Sequence, residues 1–275
     1  MSKGGGIYVA GDSWVHRLDG AVKLILWLIW TVVVFMFLDL RLFAVMIAIG
    51  VALLWSARIP LRKMAFLFWF LIFFTFTNAI FILLITPTFG TTLTGTNTPL
   101  IPLGYNTINK ETLFYVLTLS AKYITLLPLT LVFILTTHPS RFAASLNKVG
   151  VPYKIAYAVS IAFRYIPDLT QEFKHILNSL SARGLGITKE DGTIAQRMKN
   201  LTLVVVPLLQ SSLHHIDAVS NAMDLRGFGA HPKRTWYMGM KMSSVDKTVL
   251  LFILLLLALA IYLKVSVLKG FWYPL

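Results

Sequence analysis

The chain has 275 residues, of which 57% are hydrophobic and only 13% charged, and its mean hydropathy is +0.74. Soluble globular chains carry about 25% charged residues, so an ordinary soluble fold is excluded and an all-α integral membrane protein is expected. The 25 Lys and Arg against 11 Asp and Glu give a net charge of +14; in so apolar a chain this marks one side of a bilayer rather than a nucleic-acid surface, and the lack of cysteine rules out disulfides and thiolate chemistry.

In chain order, Gly4-Gly5-Gly6 follows no strand and reads as a flexible end. A bilayer core needs about 20 mostly apolar residues per helix. The first such stretch is 21–38, read as a span rather than a cleavable signal peptide, because no small-residue cleavage site follows it and another apolar stretch does. Asp39-Leu40-Arg41 separates it from a shorter second stretch, 42–55. The third, 64–85, is rich in Phe, and the fourth, 113–135, carries Lys122 and Pro128. The last, 248–263, is followed by Lys264 and the aromatic tail Phe271-Trp272-Tyr273. About five transmembrane helices are therefore predicted, in three regions: spans one to four over 1–135, a polar segment over 136–247, and a C-terminal span over 248–275.

Lys and Arg set the orientation. The N-terminus, the second-to-third connection and the segment 136–247 share one side in an alternating topology and hold 19 of the 25 cations. The opposite side has Arg41, Lys110, Lys264 and Lys269. The expectation is a multi-pass membrane protein, N-terminus cytoplasmic and C-terminus outside. Lys23 and Lys122 fall inside spans, where snorkelling toward the interface is expected. Asp19 and Lys23 are four residues apart and read as an ion pair at the start of the first span. The loop 86–112 is rich in Thr, Gly, Asn and Pro, nearly uncharged, and predicted to hold short extended pieces.

Segment 136–247 is too polar to span lipid and too regular to be a loop. His138-Pro139-Ser140 starts a predicted helix that stops at Gly150-Val151-Pro152. A second runs from about 152 to 164, and Pro167 introduces a third over 168–182. Its apolar positions Leu169, Phe173, Ile176 and Leu180 define one face, with Glu172, Lys174, His175 and Asn178 assigned to the others. After a polar turn at 188–193 another helix continues to about 225, kinked at Pro207. Leu209, Leu213, Ile216, Ser220 and Met223 draw a second stripe.

Both amphipathic helices end alike: Ser181-Ala182-Arg183-Gly184-Leu185-Gly186 and Asp224-Leu225-Arg226-Gly227-Phe228-Gly229. One such end is explained by capping, with arginine on the helix dipole and glycine in the left-handed position. Two copies, 43 residues apart, point to two equivalent plugs for two similar receptors.

The segment resembles the coupling region of the transmembrane T component of energy-coupling factor (ECF) transporters, ABC-type importers whose T components carry two Ala-Arg-Gly motifs. The matching residues are Ala182-Arg183-Gly184 and Leu225-Arg226-Gly227. Pro139-Ser140-Arg141, Gly150-Val151-Pro152 and Phe163-Arg164-Tyr165-Ile166-Pro167 also resemble family landmarks, so the likeness covers roughly 136–235. Leu225 stands where the family's second motif usually has alanine, and His138 where an acidic residue is common.

The resemblance implies a non-catalytic scaffold in a prokaryotic plasma membrane. Its partners would be two ABC ATPase subunits, A and A′, a substrate-binding membrane S component and the lipid bilayer. ATP and Mg would be bound by the ATPases, with no cofactor in this chain, and the cargo would be a vitamin or a metal ion. Two coupling helices, about 168–183 and 196–226, would lie near the membrane plane and cross. Arg183 and Arg226 would enter grooves on the ATPases, since guanidinium grips carboxylates or helix-end carbonyls bidentately. Leu169, Phe173, Ile176 and Leu180, with Leu209, Leu213, Ile216 and Met223, would partly face the S component, unless these stripes pack within the protein itself.

Candidates for chemistry are few. His214 and His215 point about 100° apart and do not make a metalloprotease pair. His214 and Asp217 alone make a poor metal site, and no P-loop is present. A conventional ABC permease needs polar residues along a pathway, and an intramembrane enzyme needs several ionisable residues at mid-bilayer. The spans are poor in both.

Overall fold

The structure, a computed structural model, describes residues 8–9, 11–96, 98–103, 106–185, 193–231, 235–237, 239, 242–266 and 273. The glycine-rich start, most of the polar turn at 188–193, and Phe271 and Trp272 of the tail lie outside these residues. In chain order the elements are α1 (Trp14–Arg17), α2 (Gly20–Met36), α3 (Leu40–Ser56), α4 (Leu61–Ile85), α5 (Phe89–Thr94), β1 (Pro99–Leu103), β2 (Asn106–Asn109), α6 (Lys110–Thr136), α7 (Pro139–Lys148), α8 (Tyr153–Ser181), α9 (Ile194–Leu225) and α10 (Ser244–Ser266). They divide into two compact units. One comprises Ile7–His138 with Met240–Leu275, the other Met1–Gly6 with Pro139–Gly239.

The first unit holds the apolar helices. By length and composition α6, α10 and the Met64–Ile85 part of α4 can each cross a membrane. Helices α2 and α3 are apolar but have 17 residues each, about 26 Å of rise, just short of a ~30 Å hydrocarbon core. Helices suit this solvent because each satisfies its own backbone polar groups. An apolar helix stands at each of the five predicted spans, within a few residues of its expected bounds, and three of the five are long and apolar enough to cross a membrane, in an all-α architecture.

Helix α6 is the hub, packing against α2, α3, α4 and α5. Two indoles lace it to α2: Trp30 Nε1 donates to the Thr125 carbonyl at 3.1 Å and Trp27 Nε1 to Thr130 Oγ1 at 3.0 Å. Trp27 also stacks on Phe133. On α3, Gly50 lets the backbone approach Pro128; an added Cβ would lie 3.0 Å from that proline's own Cβ. Phe37, Phe43, Val34 and Leu129 are fully buried among α2, α3 and α6. Helix α4 differs. Its Phe66, Trp69, Phe73, Phe76 and Ile85 are all exposed, as a lipid-facing helix allows.

Polar groups gather where the spans end. Lys23 does not snorkel. It is buried, and its ammonium donates to the carbonyl and Oγ1 of Thr136 at 3.1 and 3.2 Å. The reason is that the last turn of α6 leaves carbonyls without helical partners, and a cation there also meets the negative end of the dipole. Asp246, buried at the start of α10, accepts from the backbone N–H groups of Asp19 at 2.9 Å and Ser243 at 2.8 Å. Lys122, inside α6, rests its ammonium 4.8 Å from the Phe35 ring centroid, and Lys264 lies 5.5 Å from that of Phe37, so ring faces meet both cations.

The loop 86–110 is more ordered than its composition predicts. Besides α5 it forms the hairpin β1–β2, antiparallel, with Ile101 opposite Ile108 and Leu103 opposite Asn106. Glu111, fully buried, accepts from Thr98 Oγ1 at 2.7 Å, Thr98 N at 3.2 Å and Thr96 Oγ1 at 3.3 Å. Thr112 Oγ1 donates to the Pro87 carbonyl and accepts from Gly90 N.

In the second unit α7 packs on α8, and α8 on α9. The two helices expected over 152–164 and 168–182 are one continuous α8 running through Pro167. Proline removes one N–H and crowds the carbonyl four residues back, but here the ring is exposed and α9 touches α8 on both sides of it. Tyr165 meets the His215 ring at 6.4 Å between centroids, and Glu172 accepts a hydrogen bond from Ser211 Oγ. That tertiary support keeps the two halves in line. At the start of α9, Thr193 N and Oγ1 both donate to Gln196 Oε1.

Two outcomes follow from this packing. A methyl group at Gly90 would fall 2.2 Å from Thr112 N, so Gly90→Ala should lower stability by about 1–3 kcal/mol, seen as a lower thermal unfolding midpoint in detergent. His16, buried near the start of the first unit, lies between Ser13 Oγ at 2.7 Å and the Val9 carbonyl at 3.1 Å. Burial holds its imidazole below its usual range, ahead of an opposing hydrogen bond to Val9. The unfolded chain thus binds a proton more readily than the folded one. The contribution is complete above the ordinary value of about 6.5 and is lost as pH falls below it. His16→Gln should flatten the decline in unfolding midpoint between about pH 7 and 5 relative to the parent chain.

Candidate coupling site

The two Arg-Gly ends share one backbone geometry. At the end of α8, Leu185 N donates to the Leu180 carbonyl and Gly184 N to that of Ser181, both at 3.0 Å, with Gly184 at φ +77°. At the end of α9, Phe228 N donates to the Met223 carbonyl and Gly227 N to that of Asp224, both at 2.9 Å, with Gly227 at φ +62°. Each is a Schellman motif: a six-to-one bond closed by a five-to-two bond around a left-handed glycine. A side chain at either glycine would strain the turn, which explains why glycine follows each arginine.

The motif places Arg183 and Arg226 in the same position, one residue before the left-handed glycine. Both are exposed, as is Ala182, and Leu225 is 90% exposed. Such a leucine beside a guanidinium is an apolar contact presented outward without cover from the described residues. The geometry can insert a charged, planar fork with a small apolar shoulder into a complementary groove.

The arginines stand at the far ends of two helices that run antiparallel where they meet. Tyr165 lies by His215, Glu172 by Ser211, and Tyr153 by Phe228, so rising numbers on α8 match falling numbers on α9. Counted from the Glu172–Ser211 bond, Arg183 and Arg226 lie roughly 16 and 22 Å along their own helices.

The two predicted stripes fare differently. Leu169, Phe173, Ile176 and Leu180 are half-buried. On α9 the sheltered face is instead Leu201, Val204, Leu208, Ser211 and Ser212, while Leu209, Leu213 and Ile216 are 59, 61 and 59% exposed. Met223 is half-buried and belongs to the Schellman end rather than to the open stripe. Glu172, assigned to an outer face, lies half-buried and bonded to α9. The hint was the pair Ser211-Ser212, two short hydroxyls on the face that continues Leu201, Val204 and Leu208.

Sequence reasoning missed the support beneath the second end. Phe228 lies against Tyr153 and Tyr157, with centroids 5.6 and 4.9 Å away. Trp236 approaches Tyr157 and donates through Nε1 to Asn147 Oδ1 at 3.1 Å, while Asn147 Nδ2 donates to the Val151 carbonyl at 2.9 Å. Tyr153 and Tyr157, four apart on a helix start, were the available signal.

The chain matches the family model of the cobalt transport protein CbiQ over residues 11–238. It is 31% identical to the energy-coupling factor transporter transmembrane protein EcfT of Bacillus selenitireducens, with 92% of this chain and 94% of the relative covered. Identity to the protein of the same name is 31% in Clostridium kluyveri, covering 98% and 97%, and 27% in Bacillus subtilis, covering 94% and 97%. A match of this extent shows that the chain belongs to the CbiQ cobalt transport protein family as an EcfT-like transmembrane T component.

Proposed function

We infer that this chain couples two ABC ATPase subunits to a separate substrate-binding membrane S component, in an importer of a vitamin or a metal ion. The observation that carries the reading is the pair of Schellman ends. Each presents an exposed arginine next to a glycine that lets a partner surface approach. Arginine keeps its charge and offers two parallel N–H donors, which suits a carboxylate or helix-end carbonyls on an ATPase. ATP and Mg belong to those subunits. This chain lends them attachment and transmits their movement. A further support is a protein of Bifidobacterium longum named as an ABC transporter ATP-binding protein, which is 29% identical over 85% of this chain within 30% of its own length.

When the ATPases close on ATP, the arginine-bearing ends are drawn with them, and α8 and α9 shift as packed rods. The exposed stripe Leu209, Leu213 and Ile216 is where an S component would feel that shift. Aliphatic side chains suit a surface that accommodates more than one partner, because they ask for shape and not for matched polar pairs. Coupling of this kind requires two states and different contacts in each.

Arg183→Glu and Arg226→Glu should each weaken association with the ATPases by about 30-fold or more, ~2 kcal/mol, and abolish ATP-driven uptake in vesicles. Uptake unaffected by both substitutions would overturn the reading. Leu213→Asp should release the S component on co-purification while both ATPases stay bound, and loss of the ATPases instead would contradict this division of surfaces.

A further inference from the structure

We propose that Phe228 is a positioning residue for Arg226, seating the end of α9 on the start of α8 so that the two coupling ends are mechanically unequal. The proposal rests on the coupling role given to the arginines above. Its basis is a difference between two ends whose backbones are alike. In each Schellman motif the residue after the left-handed glycine turns back toward the helix. At the α8 end that residue is Leu185, which is exposed. At the α9 end it is Phe228, half-buried, with Tyr153 and Tyr157 at 5.6 and 4.9 Å between centroids.

Tyr153 and Tyr157 are one turn apart at the beginning of α8, so they form a shelf fixed to that helix. Tyr153 is buried, and the preceding turn is braced by the Asn147 bond to the Val151 carbonyl. Two further described residues after α9 meet the same surface. Gly229, at φ +90°, lies so that a Cβ would touch Lys154 at 3.6 Å, and Trp236 bonds Asn147 beside Tyr157. Phe228, Gly229 and Trp236 thus meet three parts of one α7–α8 corner. One residue, Gly227, separates Phe228 from Arg226, and it is locked by its bond to Asp224. Fixing the phenyl ring therefore fixes where the guanidinium leaves the surface. Among the described residues Leu185 has no aromatic shelf of this kind, and the bonds that hold the Arg183 end are those of its own helix end.

The test uses the full complex of this chain with its ATPases and S component, reconstituted in lipid vesicles. Phe228→Ala and Leu185→Ala form a matched pair, with Phe228→Tyr as the conservative rescue. Phe228→Ala is expected to lower ATPase association and uptake about tenfold, to speed amide exchange over 223–228, and to leave exchange over 201–208 unchanged. Phe228→Tyr should restore all three readouts, and Leu185→Ala should change uptake less than about twofold. Equal effects of Phe228→Ala and Leu185→Ala, failure of Phe228→Tyr to rescue, or exchange accelerated throughout α9 would overturn the positioning role. Arg226→Glu separates the two ideas. If it is damaging while Phe228→Ala is not, only the positioning role falls. If it leaves association and uptake unchanged, the coupling reading itself falls, and the positioning role with it.

Discussion

A buried ammonium closes the end of the helix on which the first unit is built. Lys23 reaches the carbonyl and hydroxyl of Thr136, so the start of α2 is tied to the finish of α6. In a medium without water an unsatisfied helix-end carbonyl costs several kcal/mol, and so does an unpaired cation. Each group answers the other. The indoles of Trp27 and Trp30 then fasten the same two helices further along, and Gly50 admits α3 to the opposite flank at Pro128. Asp246 brings α10 to the same end through the N–H of Asp19. Polar contacts thus set the register of helices whose apolar faces would tolerate sliding.

The second unit depends on a different economy. Its helices are amphipathic, and their free ends are finished by backbone bonds rather than by side chains. A Schellman turn needs only a glycine, which leaves the preceding side chain at liberty to be chosen for a partner. Arginine occupies that place twice. The Glu172–Ser211 bond and the Tyr165–His215 contact hold the two helices against each other away from those ends. On the proposed coupling role, these packed side chains are the path by which a displacement at one tip would reach the other helix.

Much of this was legible in the sequence, for reasons that differ by feature. The five apolar helices could be read because a run of some 20 apolar residues is a property of composition and needs no partner. The Arg-Gly ends could be read because a C-cap is local, complete within six residues. The continuity of α8 could not, since Pro167 signals a break and only α9, some 40 residues onward, overrides it. For the loop 86–112 only short extended pieces could be read, because its organiser, Glu111, lies at its far edge and works by accepting from Thr96 and Thr98. Glu172 was placed outward by periodicity, yet its partner is Ser211 on another helix. What escaped was in each case a contact between residues distant in sequence.

Pro167 has one more consequence. A proline inside a helix leaves a carbonyl unbonded one turn before it, and that is where a rod bends most easily. Helix α8 carries such a point 16 residues before Arg183, and α9 carries one at Pro207, 19 residues before Arg226. Each arginine is thus the tip of an unbroken rod of roughly 24 to 29 Å, mounted on a softer joint. Side load at a tip would be felt first at the proline, and the contacts of α9 on both sides of Pro167 are what lets the α8 rod carry that load without folding there.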